Sequence, residues 1–192
     1  MLRVVGLHHR YRWEAISVLN LQKGMTVLDV ACGTGLNFPY LYEAVGAEGR
    51  IIAIDIAPGM LERAKRRVIQ NRWHNFEFIQ GDLCRSRLPK ADAAAAFWCM
   101  ISIPEYQIAL ENIVSSLVPG GTCSVLDFKL VQGFPGGLLN PIFRRICRLT
   151  HQDIDREPWR DMELLLANLQ MREWRLGGML LSNVYLAWGQ KR

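Results

Sequence analysis

Val27-Leu-Asp-Val-Ala-Cys-Gly-Thr-Gly-Leu-Asn-Phe38 decides how the rest of the chain is read. Thr26 to Ala31 is an apolar run of strand length, and a helical period follows near Leu36 to Val45. Gly33 and Gly35 let the backbone turn tightly from strand to helix and approach a ligand, with N–H groups exposed at the helix start. A lone Gly-x-Gly is common. Two acids sharpen this one: Asp29 inside the strand end, and Asp55, 22 residues after Gly33, at the end of the next apolar run. A carboxylate at that second place suits a ribose diol, because it accepts two hydroxyl hydrogen bonds.

The alternation continues along the chain. Arg50 to Asp55 reads as a second buried strand. Pro58 then opens a helix in which Met60, Leu61, Ala64 and Val68 share a face, while Arg63, Lys65, Arg66 and Arg67 point mostly to water. Phe76 to Ile79 is a third strand and Asp92 to Trp98 a fourth. Ser102-Ile-Pro-Glu105 has capping-box spacing and is expected to open a helix with Tyr106, Leu110, Ile113, Val114 and Leu117 inward. Pro119-Gly-Gly121 stops it before a fifth strand, Thr122 to Phe128. Strands apolar on both faces that alternate with helices specify a parallel α/β sheet.

The last third changes character. Gln132 to Gly137 is a loop, after which Leu138, Ile142, Ile146 and Leu149 form an apolar stripe beside Arg144, Arg145 and Arg148. Such a stripe packs on a sheet edge, covers a lipophilic substrate, or rests on an anionic membrane. Pro158 begins another helix with Trp159, Met162, Leu166 and Leu169 inward. Met171 to Leu176 and Leu180 to Trp188, around Gly177-Gly178, read as a closing antiparallel hairpin.

Composition narrows the class. At about 150 residues per domain, 192 residues make one domain, 1–192. The longest apolar stretch, Ala93 to Ile101, is far short of the ~20 residues of a spanning helix. The first residues lack a secretory h-region, so a cytoplasmic protein, with possible peripheral membrane contact, is expected. A net charge of +5 favours anionic partners without choosing among them. The Arg63 to Arg67 run lacks interleaved aromatics, which argues against nucleic acid. Five scattered cysteines (Cys32, Cys84, Cys99, Cys123, Cys147) show no metal spacing and read as reduced thiols.

Two cofactor classes fit a ribose-binding acid. A dinucleotide site wants G-x-G-x-x-G facing a pyrophosphate, but here Phe38 takes the third glycine's place and Asp29 adds a negative charge. That carboxylate favours an ammonium or sulfonium ligand instead, which points to S-adenosylmethionine rather than NAD.

With Leu28-Asp-Val-Ala-Cys-Gly-Thr-Gly35, Ile54-Asp-Ile-Ala-Pro-Gly-Met-Leu61, Gln80-Gly-Asp-Leu83, Leu117-Val-Pro-Gly-Gly-Thr122 and Val125-Leu-Asp-Phe128, the chain resembles class I S-adenosylmethionine-dependent methyltransferases. It looks most like the branch of ubiquinone/menaquinone-biosynthesis methyltransferases and small bacterial phospholipid N-methyltransferases. The resemblance implies a doubly wound, Rossmann-like seven-stranded sheet of order 3-2-1-4-5-7-6 with the last strand antiparallel. It implies that Asp29 and the turn Ala31, Cys32, Gly33 and Gly35 hold the methionine moiety. Asp55 would bind the ribose, Ile56 and Met60 would lie against the adenine, and Asp82 with the Leu83 backbone would take the adenine amino group. Trp98 would sit where methionine end and substrate meet. Residues 1–24 would form a short lid segment and 130–170 the substrate side. The implied acceptor is small or lipid-like, an amine head group or a quinone precursor, and the product S-adenosylhomocysteine.

Plainer readings stand beside these: Asp29 as a cap, Asp55 as a strand end, Asp82 as a turn former and Trp98 as core. Whole-chain alternatives are an NAD-linked oxidoreductase and a non-catalytic binding module. No catalytic base is apparent; His8, His9 and Tyr106 are the open candidates.

Overall fold

Leu28, Val30, Ile52 and Ile54 pack into one apolar cluster, while Val27, Ile51 and Ala53 pack into others on the opposite side. Strands β1 (Thr26–Val30) and β2 (Arg50–Asp55) are therefore covered on both faces, as continuous apolar runs require. The structure is a computed structural model; it describes residues 2–134, 136–175 and 182–192, with side chains from residue 9 onward.

The sheet has seven strands in the order β3-β2-β1-β4-β5-β7-β6. The other five are β3 (Phe76–Gln80), β4 (Ala91–Phe97), β5 (Leu117–Lys129), β6 (Leu166–Trp174) and β7 (Asn183–Lys191). β3, β2, β1, β4 and β5 pair in parallel, and β7 runs antiparallel to both β5 and β6. This is the expected order and the expected antiparallel strand. Gly177-Gly178, where the hairpin was expected to turn, lies outside the described residues.

Tyr11, Ala15, Ile16 and Leu19 of α1 (Leu2–Ser17) and its following turn cover one face with Leu41 and Val45 of α2 (Phe38–Val45). Leu61, Ala64 and Val68 of α3 (Pro58–Gln70) extend that layer. Leu110 and Ile113 of α4 (Tyr106–Ser116) and Met162 of α6 (Pro158–Leu165) cover the other. The central strand β4 is almost all alanine, a weak strand former, and is held by ladders to β1 and β5 on its two sides. Its short side chains let α1 come close enough for Ser124 Oγ to donate to the Ala15 carbonyl at 2.9 Å. α5 (Gly136–Leu149) sits at the rim, with Phe143 and Cys147 against Ile101 and Ile154. No helix among the described residues is long and apolar enough to cross a membrane.

Four local readings are corrected. The capping box does not form: α4 starts at Tyr106 with Glu105 at its N-cap and no side-chain cap bond. Pro104 is the reason, since the residue before a proline is kept out of helical conformation. Ser102 Oγ instead accepts from Gln152 Nε2 at 3.2 Å. Next, α6 ends at Leu165, and Leu166 and Leu169 belong to β6. Pairing with β7 overrides the helical spacing, and a register shift between Ala167 and Gln170, with Asn168 at φ 52°, lets Leu166 stay buried. Third, β5 begins at Leu117 rather than Thr122, because Leu117 pairs with Ala91 before Val118 to Gly121 loops out. Gly121 is needed there: a Cβ would lie 2.8 Å from the Asp92 carbonyl. Finally, Met60 leaves the buried face of α3, being 41% exposed.

Candidate functional site

Ala31, Gly33 and Gly35 all have positive φ, at 50°, 55° and 75°. Three left-handed residues in five turn the chain back on itself as it leaves β1 for α2, near the strand-order switch where ligands sit in open α/β sheets. Cys32 N–H donates to the Ile54 carbonyl at 2.9 Å and so extends the β1–β2 ladder into the turn. At Gly35 a side chain is excluded twice, by φ and because a Cβ would fall within 3 Å of Phe38 ring carbons. Gly33 differs: nothing lies within 4 Å of where its Cβ would be. The space before Gly33 is open, and its backbone faces it.

Asp55 fastens this turn. Its Oδ2 accepts the Gly33 N–H at 2.8 Å and its Oδ1 accepts the Ala57 N–H at 2.9 Å. Each oxygen keeps acceptor capacity, so both backbone bonds and two hydroxyl donors can be held together. On the outer side Arg67 Nε donates to the Thr34 carbonyl at 3.0 Å, so this arginine bends inward rather than standing in water as its spacing suggested.

Asp29 is fully buried in β1. Its Oδ1 accepts from Asn37 Nδ2 at 2.7 Å, and Asn37 Oδ1 in turn accepts from Arg12 Nη1 on α1. Its Oδ2 is buried with no hydrogen-bond partner among the described residues. Burial pushes this carboxyl up to about 7; the Asn37 bond and Arg12 pull it down, and Asp55 pushes it further up. An orphaned buried carboxylate oxygen is costly unless a donor or cation completes it. Beside an open glycine turn, that oxygen fits an ammonium-bearing ligand. Burial, with Asp29 and Asp55 adding to it, holds the Cys32 thiol well above its usual range.

A cavity of about 340 Å³ opens next to the turn. Ala31, Asp55 and Ile56 line one side, Asp82 and Leu83 another, and Ile103 and Pro104 the far wall. Five of the expected residues thus share one space, while Asp29, Cys32, Gly33, Gly35, Met60 and Trp98 are not among the residues that line it. Ile56 is 66% exposed, an apolar surface offered at the mouth. Asp82 Oδ1 accepts the Cys84 N–H at 2.9 Å, so it closes its own turn as well as lining the cavity. Trp98 follows β4 at φ 61°, a strained conformation for a bulky residue, secured by its N–H on the Leu126 carbonyl at 2.7 Å. Its ring packs on Phe128, with centroids 4.5 Å apart, and approaches Tyr11.

Arg12 and Asn37 were missed by sequence reasoning, as were Asp127 and Arg156. Asp127, at the end of β5, accepts the Phe128 N–H at 2.8 Å and the Ile101 N–H at 3.3 Å. Burial raises it to about 7 against those backbone bonds. Arg156 Nη1 donates to the Met100 carbonyl at 2.9 Å and to that of Ile103, and its Nη2 to Pro104 at 3.2 Å. Together these two residues hold the loop that forms the far wall. Of the base candidates, His9 bonds Tyr40, and the Tyr106 hydroxyl donates to Asp161 Oδ2 at 2.7 Å, with burial first raising it to about 12.

A family model described as a methyltransferase domain matches residues 27–121. The demethylmenaquinone methyltransferase of Listeria monocytogenes is 30% identical over 123 residues, 63% of this chain and 52% of that protein. The 2-phytyl-1,4-naphthoquinone methyltransferase of Thermosynechococcus vestitus is 33% identical over 129 residues, 66% of this chain and 56% of that protein. The chain spans roughly half the length of these relatives. The YcgJ protein of Bacillus subtilis has a similar fold, with a TM-score of 0.81 over 96% of this chain and 99% of that one, at 17% identity.

Proposed function

We propose that this chain, which belongs to the class I S-adenosylmethionine-dependent methyltransferases of the quinone-biosynthesis branch, transfers the methyl group of that cofactor to a reduced quinone precursor. The observation that carries the donor half is the buried Asp29 Oδ2, which has no hydrogen-bond partner among the described residues, beside the open backbone of Gly33. The acceptor half rests on the two relatives, whose names specify naphthoquinone-type substrates.

Bound, the cofactor supplies an electrophilic methyl group on a sulfonium with a good leaving group. The residues of this chain have to bind, align and keep water out. Asp29 would take the ammonium of the methionine end, held in place through Asn37 and Arg12. Asp55 would take the ribose hydroxyls while its backbone bonds keep the turn rigid. Ile56, Leu83, Ile103 and Pro104 would clasp the adenine in the 340 Å³ cavity, with Asp82 at its edge. Cys32 and Gly35 shape the turn, and Met60 lies further out on α3.

Asp55 and Asp127 hold backbone N–H groups, Tyr106 is a donor, and Asp29 is taken up by the ammonium, so none of these four is assigned as a general base. The oxygens of a hydroquinone make its ring carbon nucleophilic; the S–CH3 bond breaks as the new C–C bond forms, and the proton displaced from that carbon passes to solvent water. The test is transfer of label from methyl-labelled cofactor to a 2-prenylnaphthohydroquinone, with phosphatidylethanolamine in parallel. Label on the naphthohydroquinone ring carbon is expected. Label in the amine lipid alone would overturn the acceptor and keep the donor, and label in neither would overturn the transfer.

A further inference from the structure

α5 presents two faces with different fates. Phe143 and Cys147 are buried against Ile101 and Ile154. Leu138, Ile142, Ile146 and Leu149, spaced by four, four and three residues, form one stripe on the neighbouring face. Leu138 is 69%, Ile142 60% and Leu149 77% exposed, and Phe134 just before the helix is 91% exposed. An isolated exposed leucine needs no explanation, but an aligned stripe of this kind marks a contact surface.

The charge on the helix says what it contacts. α5 contains Arg144, Arg145 and Arg148 and no acid. Arg144 is bonded to Asp155, whereas Arg145 and Arg148 are exposed and pair with no carboxylate among the described residues. At 100° per residue Arg145 lies about 40° and Arg148 about 100° to one side of Leu149, on the flank of the stripe turned away from Phe143. Pro141, the three arginines and Leu149 line a groove of about 460 Å³ beside the stripe. Apolar side chains with a cationic groove at their edge complement a lipid surface that offers acyl chains and phosphates at adjacent depths.

We propose that α5 docks this protein on an anionic phospholipid bilayer, with Phe134, Leu138, Ile142 and Leu149 entering the acyl boundary and Arg145 and Arg148 holding lipid phosphates. The buried face of the same helix rests on Ile101, in the loop after β4 that continues into the cavity wall at Ile103 and Pro104. Docking therefore brings the C-terminal edge of the sheet toward the membrane, which is where a lipophilic acceptor is met. The proposal stands apart from the identity of that acceptor, since its test reads binding and not turnover.

The full chain is sedimented with phosphatidylcholine vesicles, with and without phosphatidylglycerol, at low and high salt. Binding at least tenfold stronger to the anionic vesicles, and weakened by salt, is expected. Each arginine near an anionic surface is worth about fivefold, so Arg145→Ala with Arg148→Ala should lower partitioning about 25-fold. Ile142→Asp with Leu149→Asp should abolish it. Both pairs are exposed, so unchanged thermal melting shows that the fold persists. Equal binding to neutral vesicles, or variants that bind like the parent, overturns the proposal. So does a dimer in solution that Ile142→Asp dissociates while the parent ignores vesicles, since the stripe would then belong to a second copy of the chain.

Discussion

Asp29 should release a proton when the cofactor binds. Its buried carboxyl titrates near 7 in the free protein, and the ligand's ammonium selects the anion. If only the ionised form binds tightly, the apparent Kd scales as 1 + 10^(pKa − pH). That factor is about 30 at pH 5.5 and about 1.3 at pH 7.5, so affinity should rise roughly 25-fold across this window. The window ends there because the ligand's amino group begins to titrate at about 7.7–8.0. The assay is calorimetric titration with S-adenosylhomocysteine, repeated in buffers of different ionisation enthalpy so that the released proton is counted. Asp29→Asn should flatten the profile. It should also lose a charge-assisted hydrogen bond, about 10- to 100-fold in affinity. A flat parent profile without proton release would refute the reasoning, as would an Asp29→Asn profile that keeps the slope.

The two turn glycines should separate cleanly. Gly35→Ala should lower stability by about 3 kcal/mol, combining left-handed strain with the Phe38 clash, as read by urea unfolding. Gly33→Ala meets only the strain, about 1–2 kcal/mol, and should weaken S-adenosylhomocysteine disproportionately because its Cβ enters the open space. Arg156→Met should leave three carbonyls of the cavity wall without their donor and cost about 2–4 kcal/mol in the same assay; an unaltered midpoint would remove it from the wall. For Asp29 and Asp127 the unfolded chain sheds its proton near 3.8 and the folded chain only near 7, so between these values the folded state holds more protons. Stability should fall as pH rises through that interval, by up to about 1.4 kcal/mol per pH unit for each group, and Asp127→Asn should remove its share of the slope.

How much of this was legible follows from how local each cause is. The β1 turn could be read because glycine freedom and strand-end acids act within a few residues, and Ala31, Asp55, Ile56, Asp82 and Leu83, from three separate motifs, line one cavity. Asn37 lay inside the quoted stretch, and an amide one helical turn into the motif was the available signal; its bond to Asp29 depends on how α2 leaves the turn. Arg12 and Arg156 gave no signal, because their partners are 25 and more than 50 residues away. Leu166 and Leu169 misled because apolar spacing suits a helix and a bulged strand equally, and pairing with β7 decides. For α5, apolar residues occupy both sides of the helix, and only tertiary packing shows that Phe143 and Cys147 face inward.

The central claim is that the crevice between the Ala31–Gly35 turn, Asp55 and Asp82 holds S-adenosylmethionine. Calorimetric titration of the parent and of Asp55→Ala with S-adenosylhomocysteine and with NAD tests it most directly. The account predicts micromolar binding of S-adenosylhomocysteine, weakened at least about tenfold by the substitution, and no heat with NAD. Binding of NAD, or S-adenosylhomocysteine affinity that Asp55→Ala leaves untouched, would contradict it.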